Sequence, residues 1–147
     1  MVREYHSNGT LMKQADSILD HSGMRKTEVR RSVLRVLLES EEALSHAQIE
    51  EQFKKIDRVT LYRTLKAFED KGVIHQAFDG TDTAKYAVCS EHCSEHQHED
   101  DHLHFHCQVC DRTLCIEDVK VPRPRLPEGY QPASAHLVVK GVCPQCS

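Results

Sequence analysis

Apolar residues recur at helical spacing through the first half of the chain and at strand spacing through much of the second. Leu11, Ala15, Ile18 and Leu19 predict a first helix that Gly23 can stop. Thr27 can cap a second helix with Val29, Val33, Val36 and Leu37 on its apolar side, ending near Ser40. Ser45 followed three residues later by Gln48 is a capping box, opening a helix that buries Ile49 and Phe53. Asp57 caps the next helix, which buries Leu61, Leu65 and Phe68 and stops at Gly72. The period then changes to two: residues 73–78 and 84–88 read as a hairpin around Asp79-Gly80. Short helices with tight connections followed by a hairpin predict a winged helix-turn-helix; a generic small α+β domain uses the same elements.

Residues 89–101 carry no apolar periodicity and read as a His/Cys-rich hinge linker. His102-Leu103-His104-Phe105-His106 then alternates, putting three imidazoles on one strand face and two apolar side chains on the other. Residues 113–116 can return as the hairpin partner, with Cys107 to Cys110 at the turn. Pro122, Pro124, Pro127 and Pro132 exclude a long helix, and residues 135–140 read as a last strand. The expected class is α+β: a winged-helix DNA-binding domain over 1–88, the linker over 89–101, and a small, mostly antiparallel dimerisation and metal-binding domain over 102–147.

Composition and charge refine this picture. Hydrophobic residues make up 39% of 147 and Trp is absent, so the core is modest and a metal staple would add to it. Net charge is −4, but the chain is balanced through Lys85 and the whole excess falls in the second half. A DNA surface is therefore expected as a local patch in the first half, and cation binding in the acidic, His-rich second half. The odd count of seven Cys and the absence of an apolar leader fit a reducing, cytoplasmic setting. No apolar run approaches the roughly 20 residues that span a bilayer.

Three constellations carry chemistry. Cys107-x-x-Cys110 and Cys143-x-x-Cys146 supply four thiolates, the ligand set of a closed tetrahedral structural zinc site; two redox pairs or two disulfides are the competing reading. His75, Cys89, His102 and His104 form a candidate regulatory site. His75 and Cys89 sit at the two base ends of the expected wing hairpin, and the two strand histidines lie just past the linker. One thiolate with three imidazoles suits zinc, whereas copper(I) wants more sulfur and iron(II) more oxygen. In the third constellation, Arg58, Thr60, Tyr62, Arg63 and Lys66 open the helix that Asp57 caps, where they would enter a major groove. Arg25 and Lys26 could touch the neighbouring backbone or minor groove. An exposed polar face with Tyr62 in packing is the bland alternative. His92, Cys93, His96, His98 and Asp101 have ligand chemistry without fixed geometry. His106, Glu117 and His136 could add a further site, and Cys115 is either a buried strand residue or a spare ligand.

Val59-Thr60-Leu61-Tyr62-Arg63-Thr64-Leu65, Gly72-Val73-Ile74, His102-x-His104-Phe105-x-Cys107-x-x-Cys110 and Gly141-Val142-Cys143-x-x-Cys146 together resemble the ferric uptake regulator (Fur) family of bacterial metal-responsive repressors. The resemblance covers nearly the whole chain. It implies a homodimer with an N-terminal winged helix, a C-terminal dimerisation domain and a regulatory metal at the hinge, the loaded dimer binding an A·T-rich palindrome and repressing uptake genes. Tyr62 and Arg63 match the family's DNA-contacting pair, Arg25 falls near its minor-groove basic residue, the four knuckle cysteines match its structural zinc ligands, and His102 and His104 match its hinge histidines. Cys89 and His75 resemble the zinc uptake regulator branch. Three departures stand out: Ala43 stands where iron and peroxide sensors place a histidine, the proline-rich run 121–127 replaces the usual dimer helix, and the linker is longer than usual. An iron(II) or peroxide sensor on the same fold is the nearest alternative. A zinc-buffering module without DNA is another. A zinc hydrolase is disfavoured because no His-Glu-x-x-His, and no His-x-Glu with Pro-Cys-x-x-Cys, supplies its acid/base Glu.

Overall fold

The computed structural model describes residues 8–88, 102–119 and 121–147. The first half is helical where the periodicity is helical: α1 (Asn8–His21), α2 (Glu28–Glu39), α3 (His46–Glu50) and α4 (Arg58–Asp70). The caps read from the sequence are all made. The Thr27 side chain accepts from the Arg30 amide, Asp57 accepts from the Thr60 amide at 2.8 Å, and Ser45 and Gln48 close a reciprocal capping box. Gly23 and Gly72, both at positive φ, end α1 and α4. Helix α3 is shorter than its pattern suggests. Ile49 is fully buried in it, but Phe53 lies in the turns beyond and is half-buried.

The wing adds a short strand that the periodicity misses. Strand β1 (Leu44–Ser45) pairs with β3 (Lys85–Val88), which pairs with β2 (Ile74–Gln76), all antiparallel, in the order β1-β3-β2. Two residues are too few to show a period. The core of this half joins Leu19, Val33, Leu34, Leu37, Ile49, Leu61, Leu65, Phe68 and Ile74, which come from all four helices and β2. Burying such side chains contributes about 1.5–3 kcal/mol each.

The second half is a three-stranded sheet in the order β5-β4-β6: β4 (Leu103–Cys107), β5 (Thr113–Ile116) and β6 (Val138–Gly141). The β4–β5 hairpin is antiparallel, but β6 runs parallel to β4, which corrects the expectation of a mostly antiparallel sheet. A parallel return needs a crossover of about a dozen residues or more, and the proline-rich segment after β5 supplies it without a helix. Among the described residues, no helix is long and apolar enough to cross a membrane.

Register positions the chemistry. Antiparallel pairing sets His104 opposite Cys115 and His106 opposite Thr113, so these four side chains share one sheet face. Parallel pairing sets Cys107 beside Gly141, two residues before Cys143.

Candidate metal centres

Among the described residues, two groups bring ligand atoms within 4.8 Å of one another: Cys107, Cys110, Cys143 and Cys146, and His75, His102, His104 and Cys115. The first is built by β4 running into one knuckle and β6 into the other. The sulfurs of Cys110 and Cys143 are 3.8 Å apart. A tetrahedral zinc with Zn–S near 2.3 Å separates its sulfurs by about 3.8 Å, so the donor set fits that ion.

Local hydrogen bonds prepare these thiols unequally. The amides of Cys110 and Cys143 point at Cys107 and pull its thiol down to about 6, outweighing the opposing effect of burial. Cys146, sharing hydrogen bonds with Cys143 and then further desolvated, is pushed up to about 12. Four converging sulfurs cannot all ionise without a cation among them. Arg112 supplies part of that positive charge: its Nε donates to Cys110 Sγ at 3.3 Å and its Nη2 to Cys143 Sγ at 3.7 Å, which raises its own pKa. It also donates to Gln145.

The second group joins the two halves. His75 comes from the wing strand β2, His102 from just before β4, His104 from β4, and Cys115 from β5. Their Nε2 atoms converge, His102 to His75 at 3.2 Å and His104 to His102 at 3.0 Å, with Cys115 Sγ 3.7 Å from His75 Nε2. Tetrahedral zinc would hold nitrogens about 3.3 Å apart and nitrogen from sulfur by about 3.6 Å, so these donors also fit. His75 and His104 are buried, and His102 nearly so.

The structure thus brings together three of the four residues nominated for the regulatory site and adds Cys115 from the hairpin. Cys89, the fourth, lies outside the described residues, as does the linker with His92, Cys93, His96, His98 and Asp101. His106, Glu117 and His136 do not assemble a further site. His106 faces Thr113 Oγ1 at 3.2 Å and Asp111 Oδ1 at 3.2 Å, while the His136 ring packs on Phe78 with centroids 4.2 Å apart.

On α4 the buried side carries Leu61, Thr64, Leu65 and Phe68. The opposite side leaves Val59, Tyr62, Arg63 and Lys66 exposed, Tyr62 at 60%. Thr60 is exposed at the helix start, and Arg58 is held across the turn by Glu50, Nε to Oε1 2.9 Å. Arg25 is exposed just before α2. Positions suited to base and phosphate contact therefore lie along one helix face.

A buried polar cluster escaped the sequence reading. Asp79, read as a hairpin tip, is folded inward and almost fully buried. Burial pushes its carboxyl up, but hydrogen bonds from Thr81, Thr113 and Lys85 outweigh that and hold it well below the usual carboxylate range. Lys85, at the start of β3, is buried with it, and nothing in the sequence marks that lysine as buried.

A winged helix tied to a second sheet by a shared His/Cys cluster, with a four-cysteine centre behind it, defines a metal-binding helix-turn-helix protein. The sequence model of the ferric uptake regulator family matches residues 21–137, and the chain belongs to that family, whose members are metal-responsive DNA-binding regulators and not enzymes. It is 36% identical over 93 residues to the ferric uptake regulation protein of Rhizobium leguminosarum bv. viciae, an alignment spanning 57% of this chain and 62% of that one. It is 24% identical over 133 residues to the zinc uptake regulation protein of Mycobacterium tuberculosis, spanning 85% and 96%. Among solved structures, a zinc uptake regulator complexed with zinc and DNA shares the fold at TM-score 0.65 and 19% identity, with 96% of this chain and 95% of that one covered. A zinc-bound manganese uptake regulator matches at TM-score 0.58 and 25% identity, with 88% and 98% covered.

Proposed function

We propose that this chain is a zinc-responsive repressor of metal-uptake genes that acts as a homodimer on an A·T-rich palindromic operator. The observation that carries this reading is the convergence of three imidazole nitrogens and a thiol between the wing and the second sheet. Such a donor set holds no carboxylate, which favours zinc over iron(II). Cys107, Cys110, Cys143 and Cys146 are the structural zinc ligands. His75, His102 and His104 are regulatory ligands, with Cys115 as the sulfur donor in this arrangement and Cys89 as the other thiol nominated by the sequence.

Zinc at the regulatory cluster supplies a crosslink between the halves. His75 ties the DNA-binding half, residues 1–88, to the sheet that carries His102, His104 and Cys115 and lies past the 89–101 hinge. Closure favours one orientation of α4 relative to the second sheet, a shift of population and not a new fold. Tyr62, Arg63, Thr60 and Arg58 then meet the major groove, and Arg25 reaches the flanking backbone. The setting is cytoplasmic, where thiols stay reduced.

Fluorescence anisotropy of an A·T-rich palindromic duplex tests this. Zinc should tighten binding by about a hundredfold over zinc-stripped sensor sites, within the usual range of coupling energies. Equal binding with and without zinc, or tightening only by anoxic iron(II), would overturn the reading.

A further inference from the structure

The metal cluster is not the only place where the two halves meet. Two residues along β5 from Cys115, about 7 Å away, Thr113 is fully buried and donates from Oγ1 to Asp79 Oδ2 at 2.7 Å. Lys85 Nζ lies 3.1 Å from the same carboxylate oxygen and also donates to Thr113 Oγ1 at 3.0 Å and to the Asp111 carbonyl at 2.8 Å. The other carboxylate oxygen of Asp79 accepts from the Thr81 amide and hydroxyl at 2.9 and 2.6 Å. One backbone bond completes the joint, from the Ala43 amide, just before β1, to the Thr113 carbonyl at 2.9 Å. Asp79, Lys85 and Ala43 belong to the DNA-binding half; Asp111 and Thr113 follow the first cysteine knuckle.

We propose that Asp79 and Thr113 form a latch, separate from the metal ligands, that positions the DNA-binding half on the metal-bearing sheet. The argument is geometric. Among the described ligands of the regulatory cluster, the DNA-binding half contributes His75 alone, and one point of attachment leaves rotation about it. A second point on the same sheet face restricts that rotation to the line joining the two. The latch is also built to hold: Asp79 and Lys85 are 2% and 5% exposed, and each of their charges is met by several hydrogen-bond partners. Such an arrangement favours one docking geometry, because only in it do the Thr113 hydroxyl and the Asp111 carbonyl meet the Asp79 carboxylate and the Lys85 ammonium; a small shift would leave these buried groups short of a partner. Asp79 and Thr113 are thus positioning residues: both are buried and neither belongs to the two candidate ligand groups, and they set the angle at which α4 is presented. This rests on the zinc-dependent DNA-binding reading above, but part of its test does not.

The decisive variants are made in the full-length, zinc-loaded dimer. Thr113→Val removes the hydroxyl and leaves the Asp79 and Lys85 charges paired within one half; Thr113→Ser restores the hydroxyl. Hydrogen exchange read at the Ala43 amide should quicken about tenfold to hundredfold in Thr113→Val, the scale of one lost hydrogen bond to a charged group. The core amides of Leu34 and Leu65, and the zinc content by mass spectrometry, should not change. Affinity for the A·T-rich duplex should fall by a similar factor at saturating zinc, and Thr113→Ser should recover both readouts. Unchanged Ala43 exchange in Thr113→Val overturns the latch, and so does failure of Thr113→Ser to recover it. If Thr113→Val does not fold, the charge-neutral pair Asp79→Asn with Lys85→Met replaces it, with the same expectations. Should the wild-type chain bind no duplex, the function proposed above fails while Ala43 exchange still decides the latch.

Discussion

At residue scale the deciding atom is the sulfur of Cys115. Its ambiguity in the sequence had a physical cause: a Cys in a strand is equally at home as a small buried hydrophobe. Hairpin register places it on the face of His104, because the residue opposite His104 must share that face. Cys115→Ser should weaken the regulatory site about a hundredfold or more, a loss beyond that of a group that only supports a ligand, while one zinc per chain stays on the four knuckle cysteines; competition with a chromophoric chelator measures both. If Cys89→Ser gives that loss and Cys115→Ser does not, Cys115 is a packing residue. The knuckle thiols make a second residue-scale prediction, about protons. Cys107, drawn down to about 6, is already a thiolate at neutral pH, so zinc binding releases no proton from it there. As pH falls through about 6 it takes up a proton that zinc must displace. Calorimetry of zinc binding to the four-cysteine centre alone, in a His102→Ala/His104→Ala variant and in buffers of different ionisation enthalpy, should therefore show one more proton released per zinc below about pH 6 than above it, and a constant count across that range would contradict the hydrogen-bonded thiolate.

At the scale of elements, α4 separates the core from the proposed DNA surface along its two faces. Val59, Tyr62 and Arg63 face solvent while Leu61, Leu65 and Phe68 hold the core. Tyr62→Ala should leave thermal stability within about 0.5 kcal/mol yet weaken duplex binding about tenfold or more, and Arg63→Ala should lower the salt dependence of binding by about one counterion; melting curves and anisotropy at several salt concentrations read these out. The short α3 depends instead on its cap, and Ser45→Ala should cost about 1 kcal/mol by denaturant melting. These helices were legible because caps and a 3.6-residue period are local signals. Strand β6 was legible only as a strand. Its parallel partnership with β4 is fixed by a long proline-rich crossover that carries no register of its own, and by the pairing that brings Cys107 and Cys143 to one site. The hairpin around Asp79-Gly80 was legible, but the burial of Asp79 was not, for a related reason: Asp-Gly signals a turn, and nothing nearby in sequence announces that Thr113 will reach back to it.

At the scale of the whole molecule, the two candidate metal centres among the described residues have different dependencies, and chelation should separate them. The four-cysteine centre ties β4 to the end of β6 within one half, and Arg112 neutralises part of its thiolate charge. The His/Cys cluster instead spans the halves, and three of its four donors are neutral imidazoles, which hold a dication with less charge than four thiolates do. A moderate chelator should therefore empty the spanning cluster first, abolishing duplex binding while the circular dichroism and melting of the second half stay unchanged. A stronger chelator, or mild acid, should then strip the four thiolates and unfold that half, because the three short strands of the second half have little core beyond Leu103, Cys107 and Cys143, and metal binding there is folding energy. The helical half, with its own core through Phe68, Leu34 and Ile74, should keep its helicity through both steps. Loss of structure in the same step as loss of duplex binding would mean that the two centres are one cooperative unit, and the division into a platform and a sensor would fall with it.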